Sequence, residues 1–453
     1  MIDITTPTRE IIEWSKQNLM IDNPEYMKKM RMGFWVGNTP KRISLVEYAN
    51  DRLSIPYGCL RQIYPMIQDD KIISLFKQNP IQINYGENPI SLYDYQEIAV
   101  AEAMKARYGI LQSKAGSGKT RMGLAITQRW GRKTLWLTHT YDLLKQSMNA
   151  AKEFFPDELI GTITAGEIHT GKGITFATVQ TMARVNLDRF KNEWDVIIVD
   201  ECHRVAGSPT AVTQFYKVLS SLAARHKYGL SATVHRADGL IKATYSLLGQ
   251  VIYSVPDKAI EDRVMQIGIR PIETDLDYSL ECLNTDGTLN YQKLISYMVY
   301  DKERNQLIVD QLEDGHPTLV LTSRLEHNKK LLELLPYRLK QKAISLSGAA
   351  KKEARDLAMK FMKTGEKQIL FATYNLAKEG LDIPCLDRLI LATPQKDYAI
   401  VTQAIGRIAR VCEGKDNPIC VDIVDSKIRY CLNAYKQRMR IYKKNNCYED
   451  VRL

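Results

Sequence analysis

Residues 108–120 read YGILQSKAGSGKT, and this stretch decides the fold class. Its apolar beginning predicts a buried strand, and MGLAITQRW (122–130) predicts the helix that follows. Glycines between a strand and a helix let successive backbone N–H groups face a polyphosphate at the helix N-terminus. The sequence therefore predicts an α/β domain with a phosphate-binding loop, whose candidate residues are Gly116, Ser117, Gly118, Lys119 and Thr120.

The side chains of this loop indicate ATP and Mg²⁺ as cofactors. Lys119 would reach the β- and γ-phosphates, and the Thr120 hydroxyl would bind the metal ion. Ser113 stands where the motif usually begins with glycine, and it is expected to keep the turn beside the nucleotide. A motif this short also arises by chance, so the interpretation depends on the motifs that follow.

A pair of carboxylates supports the prediction of a nucleotide site. The apolar run 196–199 leads directly into Asp200, Glu201 and, two residues later, His203. Such a run places the acids at the carboxyl end of a strand, where α/β sheets bind ligands. Asp200 would complete the Mg²⁺ shell, and Glu201 would orient and deprotonate the attacking water. The alternative is a solvated loop with two acids, which the loop upstream makes the weaker interpretation.

Two further motifs extend the candidate site. Ser231 and Thr233 close another strand, and their hydroxyls could bond the carboxylates or His203 and relay the nucleotide state. Arg407 and Arg410 lie three residues apart, which predicts that they share a helix face. They would deliver positive charge to the γ-phosphate in the transition state. An ordinary basic helix is the alternative for the two arginines.

The chain alternates between apolar strands and helical segments from about residue 86. Two such α/β blocks are separated at 251–300, where the alternation is interrupted, and they predict two packed domains with a cleft between them. We predict an accessory module at 1–85, α/β domains at 86–255 and 256–425, and a basic helical tail at 426–453. The predicted strands are 134–139, 173–179, 195–200, 226–232, 318–323, 342–348, 367–374, 387–394 and 418–425.

Composition excludes several classes of protein and favours one class of partner. The net charge of +11 favours a polyanion, because Lys and Arg that neutralise phosphates release counterions. No apolar run is long enough for a membrane span, and no secretory signal opens the chain, so the cytoplasm is expected. The eight cysteines are scattered without a C-x-x-C pair, which predicts neither a structural metal nor disulfides.

These motifs, in this order, resemble the superfamily 2 helicases over residues 90–425. The resemblance implies two tandem RecA-like domains with a small N-terminal α/β accessory domain. It also implies that Gln96 reads the adenine edge and that a second set of residues contacts the nucleotide: Gly380, Asp382, Gln403, Arg407 and Arg410. The residues that it implies for contacts with a nucleic acid strand are Thr140, Thr178, Gln180, Ser323, Arg324, Thr373 and Asn375.

Two shorter patterns resemble one branch of the superfamily. SATVHRADG (231–239) and the D-x-x-R-N pattern from Asp301 to Asn305 are similar to the branch that holds UvsW and the XPB-type translocases. That branch implies a phage-type DNA helicase or translocase that acts on single-stranded, duplex or branched DNA in replication, recombination or repair. The module at 1–85 and the basic tail are expected to supply further contacts with DNA, and the protein is expected to be a monomer. Phe34 and Trp35 could separate strands, but we expect them to pack in a core.

Four other functions remain as alternatives. An RNA helicase would show the same chemistry. A restriction-type translocase would need an additional nuclease cluster, and a nucleoside kinase would not need the second α/β block. A scaffold that binds nucleotide as a switch without turnover is the alternative that is not an enzyme.

Overall fold

The computed structural model describes residues 1–67, 72–73, 81–114, 116–164, 166–206, 208–232, 240–259, 264–347, 350, 352–378, 381 and 383–450. Three predicted site residues lie outside these ranges: Thr233, Gly380 and Asp382. The chain forms two compact units, Met1–Lys114 with Gly118–Ala259, and Ile260–Leu453 with Ala115–Ser117. The predicted division into four domains stays a prediction.

The first unit begins with a small antiparallel α/β region, as predicted. Its sheet has the order β4-β5-β1-β6, and β2 pairs with β3 in a separate two-stranded antiparallel sheet. Its apolar side chains share a core with Val212 of helix α8 and with Leu240 and Ala243 at helix α9. The elements are β1 (Ile2–Thr5), α1 (Arg9–Asn18), β2 (Met20–Asp22), α2 (Pro24–Arg31), β3 (Arg42–Ser44), β4 (Glu47–Ala49), β5 (Arg52–Ile55), α3 (Leu60–Ile63) and β6 (Ile72–Ile73).

The rest of the first unit is an eight-stranded sheet with helices between its strands. The order is β10-β9-β11-β8-β12-β13-β7-β14, and β10 is the antiparallel strand. The central strands are buried along their length, which explains their continuous apolar sequences. The elements are α4 (Asp94–Ala106), β7 (Tyr108–Gln112), α5 (Lys119–Trp130), β8 (Thr134–Thr138), α6 (Tyr141–Lys152), β9 (Ile160–Ile163), β10 (Ile168–His169), β11 (Ile174–Thr178), α7 (Val179–Met182), β12 (Val196–Val199), α8 (Pro209–Ser221), β13 (His226–Ser231), α9 (Ile241–Leu248) and β14 (Val251–Ser254).

The second unit repeats this architecture with a seven-stranded parallel sheet. Its order is β17-β18-β16-β19-β20-β15-β21. The predicted basic tail is mainly helix α17, whose apolar face packs in this unit. The elements are β15 (Gly268–Glu273), α10 (Tyr291–Tyr300), α11 (Lys302–Asp310), β16 (Thr318–Thr322), α12 (Leu325–Leu334), α13 (Tyr337–Gln341), β17 (Ala343–Ser345), α14 (Lys352–Thr364), β18 (Ile369–Thr373), α15 (Tyr374–Lys378), β19 (Arg388–Leu391), α16 (Tyr398–Ile408), β20 (Ile419–Val424), α17 (Arg429–Lys444) and β21 (Tyr448–Glu449).

The structure corrects two sequence expectations about these elements. The stretch 251–300 is not wholly irregular, because it contains β14, β15 and α10. Strand β14 is four residues long, lies at a sheet edge and is only partly buried. Phe34 and Trp35 do not pack in a core, since their side chains are 59% and 87% exposed. No helix within the described ranges is both long enough and apolar enough to cross a membrane.

Candidate active site

Five consecutive strands of the first sheet bring the candidate residues to one edge. Strands β11, β8, β12, β13 and β7 are neighbours in this order and run parallel, so their carboxyl ends meet at the same edge. The acidic pair follows β12, Ser231 ends β13, and the glycine-rich loop follows β7. The ends of parallel strands are where α/β sheets bind ligands, as the sequence predicted for this site.

The glycine-rich loop takes the left-handed backbone conformation that its glycines permit. Gly116 and Gly118 have φ angles of 85° and 78°, and Gly118 immediately precedes helix α5. A Cβ atom at Gly118 would lie 2.4 Å from Nε2 of Gln96. The backbone N–H of Ser113 donates to Ser231 O (2.9 Å), which fixes the start of the loop against β13.

Substitution of Gly118 by alanine is expected to weaken ATP binding by roughly tenfold, because a left-handed backbone costs a non-glycine residue about 1–3 kcal/mol. The loop would relax, and ATP would have to restore its conformation. Titration with a fluorescent ATP analogue measures this loss. Gly166→Ala is the matched control, since a Cβ atom there would meet nothing within 4 Å. Equal affinities of the two variants would contradict the prediction.

Lys119 and Glu201 lie together beneath the loop. Lys119 is 9% exposed, and its Nζ lies 3.9 Å from Oε1 of Glu201. The same ammonium group donates to the carbonyl oxygens of Ser113 (3.3 Å) and Lys114 (3.4 Å). The lysine is therefore held at the loop by carbonyl groups, which a phosphate could replace as partners.

Asp200 is anchored next to Glu201 by two hydrogen bonds. The backbone N–H of Glu201 donates to Asp200 Oδ1 (2.9 Å), and the Ser147 hydroxyl donates to Asp200 Oδ2 (3.4 Å). Glu201 itself has a φ of 47°, a conformation that is uncommon for a residue with a side chain. Ser147 was missed from the sequence, although a serine on the buried face of helix α6 is a usable signal.

The two carboxylates differ in acidity because their neighbours differ. Burial raises the pKa of Asp200, and the nearby charge of Glu201 adds to this effect. Burial would also raise the pKa of Glu201, but Lys119 and His203 outweigh it and lower that pKa. Glu201 is therefore ionised at neutral pH. An oxygen-binding cation next to Asp200 would favour its charged form, so Asp200 and the Thr120 hydroxyl fit Mg²⁺ chemically.

His203 connects Glu201 to the neighbouring strand. Its Nδ1 lies 3.2 Å from Glu201 Oε2 and 3.1 Å from Ser231 Oγ. The sequence predicted that a hydroxyl of the Ser231 motif could bond His203, and this contact is present. The relay function proposed for these side chains stays a prediction.

Gln96 lies beside the loop but is 1% exposed. Its Oε1 accepts a hydrogen bond from the backbone N–H of Tyr93 (3.0 Å), at the start of helix α4. The amide therefore closes the first turn of that helix and packs near Gly118. The predicted contact of Gln96 with adenine stays a prediction.

Polar side chains predicted to contact nucleic acid follow two neighbouring strands. Thr140 follows β8 and caps α6, and Thr178 ends β11 and caps α7. Nε2 of Gln180 lies 3.2 Å from Nδ1 of His139. These residues stand at the same sheet edge as the acidic pair.

In the second unit, the corresponding residues follow β16 and β18, which are also parallel neighbours. Ser323 Oγ lies 2.8 Å from Thr393 Oγ1. Arg324 donates to Ser296 Oγ (2.6 Å) and to Gln292 Oε1 (3.0 Å). Thr373 ends β18, and Asn375 is exposed at the start of α15. All four predicted residues therefore lie at one edge of the second sheet.

The expectation that Arg407 and Arg410 share a helix face is wrong. Helix α16, which carries Gln403 and Arg407, ends at Ile408. Arg410 follows the helix and forms an isolated backbone bridge with Val264, while the N–H of Met265 donates to Ala409 O. This pairing ends the helix before Arg410. Arg407 Nη1 donates to Leu381 O (3.0 Å).

Two protein-family models match the two halves of this arrangement. Residues 89–236 match the family "Type III restriction enzyme, res subunit", and residues 302–412 match the family "Helicase conserved C-terminal domain". Together the matches cover more than half of the chain. They include the glycine-rich loop, the acidic pair and the arginines of the second unit.

The curated relatives carry helicase or translocase names. The chain is 26% identical over 323 residues to a putative ATP-dependent RNA helicase of Acanthamoeba polyphaga mimivirus, covering 70% of this chain and 60% of the relative. It is 26% identical over 337 residues to a probable helicase of Escherichia phage T5, covering 74% of this chain and 72% of the relative. It is 24% identical over 378 residues to the DNA 3'-5' translocase XPB2 of Sulfurisphaera tokodaii, covering 75% of this chain and 82% of the relative. The chain thus spans less than two thirds of the first of these relatives.

A solved structure agrees on the fold. Saccharomyces cerevisiae Dbp5, bound to RNA and ADP BeF3, aligns with a TM-score of 0.54 at 16% identity, covering 87% of this chain and 93% of the other. With the family matches, this confirms two tandem RecA-like domains. The chain belongs to the superfamily 2 helicases, a class of ATP-dependent enzymes. Within that class it is similar to a probable helicase of a phage and to an XPB-named translocase.

Proposed function

We propose that this chain couples ATP hydrolysis to movement along DNA, and that it unwinds or branch-migrates forked or branched DNA in replication, recombination or repair. One observation carries the proposal. Lys119, Glu201 and His203 form a continuous chain of contacts at the carboxyl edge of the first sheet, with Lys119 and His203 buried and Glu201 partly exposed. A phosphate-binding lysine next to an ionised carboxylate supplies a cation for the phosphates and a base for the attacking water.

Each residue of the site has a proposed part in the reaction. Lys119 and the backbone N–H groups of the loop hold the phosphates, and Glu201 orients a water and accepts its proton. Thr120 and Asp200 would hold Mg²⁺, which supplies positive charge to the β- and γ-phosphate oxygens when bound. His203 and Ser231 report the state of the nucleotide to the rest of the sheet.

The second unit is proposed to contribute charge and positioning. Arg407 and Arg410 would stabilise the charge that develops on the γ-phosphate, as arginine fingers do in related reactions. Gln403, Gly380 and Asp382 would contact the nucleotide. Because Arg410 lies beyond helix α16, the two guanidinium groups are presented by different backbone elements.

The proposed contacts with DNA suit a motor that ignores base sequence. Hydroxyl, amide and guanidinium groups stand at the carboxyl edges of both sheets, and such groups bind phosphates without reading bases. The residues proposed for these contacts are Thr140, Thr178, Gln180, Ser323, Arg324, Thr373 and Asn375. Two sets of contacts on two domains allow each ATP cycle to advance one set along the strand.

DNA is preferred to RNA as the substrate because of the similarity to the UvsW/XPB type. An RNA helicase is the second candidate, and the name of the mimivirus relative favours it. A nucleoside kinase is disfavoured, since it would not need a second RecA-like domain.

The decisive experiment measures steady-state ATP hydrolysis against single-stranded, duplex, forked and four-way DNA, with matching RNAs. We expect DNA to stimulate hydrolysis, and forked or four-way DNA to stimulate it most. Stimulation by RNA alone would overturn the assignment to DNA. Equal stimulation by plain duplex and branched DNA would remove the support for branch migration.

A further inference from the structure

An exposed aromatic pair stands outside the site described above. Phe34 is 59% exposed and Trp35 is 87% exposed, and both belong to the loop between α2 and β3. Large apolar side chains that are this exposed do not contribute the stabilisation that burial would give, about 25 cal/mol per Å² of apolar surface. Neighbouring Met30 and Met32 are also more than half exposed. Several large apolar side chains exposed within a few residues of one another are a candidate binding surface.

The loop that carries the pair is fixed to its surroundings. The N–H of Phe34 donates to Lys29 O (2.9 Å), which closes the end of helix α2. Lys29 Nζ donates to Thr39 Oγ1 (2.7 Å), and Asn23 Nδ2 donates to Pro40 O (2.8 Å). The aromatic side chains are therefore presented by an ordered loop, which lowers the entropy that a ligand would have to remove.

One face of the Trp35 ring rests on the backbone of Gly37. A Cβ atom at residue 37 would lie 3.0 Å from Cζ3 of Trp35, so a larger residue would push the ring away by a few tenths of an ångström. Gly37 also has a φ of 50°, which favours glycine. With one face supported and the side chain 87% exposed, the ring has a face open to a flat ligand.

Charge around the pair indicates an anionic ligand. Residues 20–42 contain five Lys or Arg and two Asp or Glu. The two acids are paired, Glu25 with Lys29 (3.1 Å) and Asp22 with Arg42 (3.3 Å). The exposed side chains of Lys28, Arg31 and Lys41 make no ion pair with any residue that the structure describes.

A groove lies next to the ring. It has a volume of about 510 Å³ and is lined by α2, by the 35–40 loop and by Thr210 and Thr213 of helix α8. Pockets that hold small ligands have volumes of roughly 300–1,000 Å³. The groove is therefore large enough for the sugar and base of one nucleotide.

We propose that Trp35, with Phe34, forms a stacking platform for unpaired bases of single-stranded nucleic acid, and that Lys28, Arg31 and Lys41 bind the adjoining phosphates. This inference rests on the proposed function, because it assigns a second contact to the same substrate. Every base has a π-face, so stacking holds a strand without reading its sequence. In a duplex the base faces are covered, which is why the platform fits a displaced or unpaired strand.

The test compares two oligonucleotides of equal length and charge, one of thymidines and one of abasic sites. Stacking contributes about 1–3 kcal/mol per base, so Trp35→Ala is expected to weaken thymidine binding by about fivefold or more. The affinity for the abasic oligonucleotide should stay unchanged. The salt dependence of binding should also stay unchanged for both oligonucleotides, since the charges remain. Thymidine should also quench a fluorescence component that Trp35→Ala lacks.

Tyr337→Ala is the matched control, because Tyr337 is a 78% exposed aromatic residue at the start of helix α13 in the second unit. It should leave both affinities unchanged. Wild-type affinity of Trp35→Ala for thymidine would overturn the platform, as would an equal loss on both oligonucleotides. If the aromatic pair instead bound a protein partner, Trp35→Ala would bind thymidine with wild-type affinity, and thymidine would not quench tryptophan fluorescence.

The same samples separate this inference from the proposed function. One outcome is that nucleic acid stimulates ATP hydrolysis equally in wild type and Trp35→Ala, at the same half-saturating concentration. That result would refute the stacking platform but would leave the proposed ATP-driven movement on DNA intact. If no nucleic acid stimulates the wild type, the proposed function fails, while quenching still decides whether Trp35 meets a base.

Discussion

Glu201→Gln is expected to lower kcat for ATP hydrolysis by at least about 100-fold, since positioned proton transfer contributes roughly 10²–10⁴-fold. Glutamine keeps the size of the side chain and its reach toward His203, but it cannot accept the proton of the attacking water. The contacts of Lys119 with the loop carbonyls remain. ATP affinity should therefore stay within a few-fold of wild type.

Steady-state hydrolysis in the presence of DNA, together with titration of a fluorescent ATP analogue, measures both quantities. Glu193→Gln is the control, because Glu193 pairs with Lys133 (2.6 Å) in the same unit and has no proposed part in the reaction. Unchanged turnover in Glu201→Gln would refute the assignment of the base. Loss of ATP binding with loss of turnover would show that Glu201 organises the loop instead.

The sequence predicted ten strands, namely the nine ranges given above and the strand before the glycine-rich loop, and the structure contains all ten. Nine of them lie inside their sheets, where burial on both faces favours a continuous apolar sequence, whereas β17 lies at a sheet edge. The position of the acidic pair followed from the same rule, because a residue after such a strand must stand at the carboxyl edge. The contact of His203 with Ser231 was predictable for the same reason.

Other features depend on tertiary packing and could not be predicted from local pattern. Arg410 lies three residues after Arg407, yet a backbone bridge with Val264 ends the helix between them. The exposure of Trp35 depends on its support by Gly37 and on the anchored loop. An aromatic residue in a short module is ordinarily buried, so composition alone pointed to a core.

The D-x-x-R-N pattern at 301–305 illustrates how a family motif can have a structural role. Asp301 caps helix α11 by accepting a hydrogen bond from the N–H of Arg304 (2.8 Å). Asn305 donates to Val299 O (2.9 Å), and its Oδ1 lies 2.7 Å from His327 Nε2. The motif joins three helices of the second unit. The side chains that carry the resemblance to the UvsW/XPB branch therefore hold helices of the second unit together.

Arg304 is the residue of this motif whose loss is expected to cost most. Its Nε and Nη2 donate to the two carboxylate oxygens of Asp425 (2.7 and 3.0 Å), and Nη2 also donates to Ala392 O (2.8 Å). Both side chains of the pair are almost fully buried. Arg304→Met is expected to lower the free energy of unfolding of the second unit by about 3–5 kcal/mol, because it leaves a buried carboxylate without its partner.

Denaturant unfolding of Arg304→Met, compared with Lys302→Met, measures this cost. Lys302 is exposed on the same helix, so its substitution should change the free energy of unfolding by less than about 0.5 kcal/mol. Adding Asp425→Asn to Arg304→Met should restore part of the loss, since a neutral amide costs less to bury than an unpaired charge. If the double variant were no more stable than Arg304→Met, lost packing would explain the cost. Equal stability of the two single variants would show that the ion pair contributes nothing to the second unit.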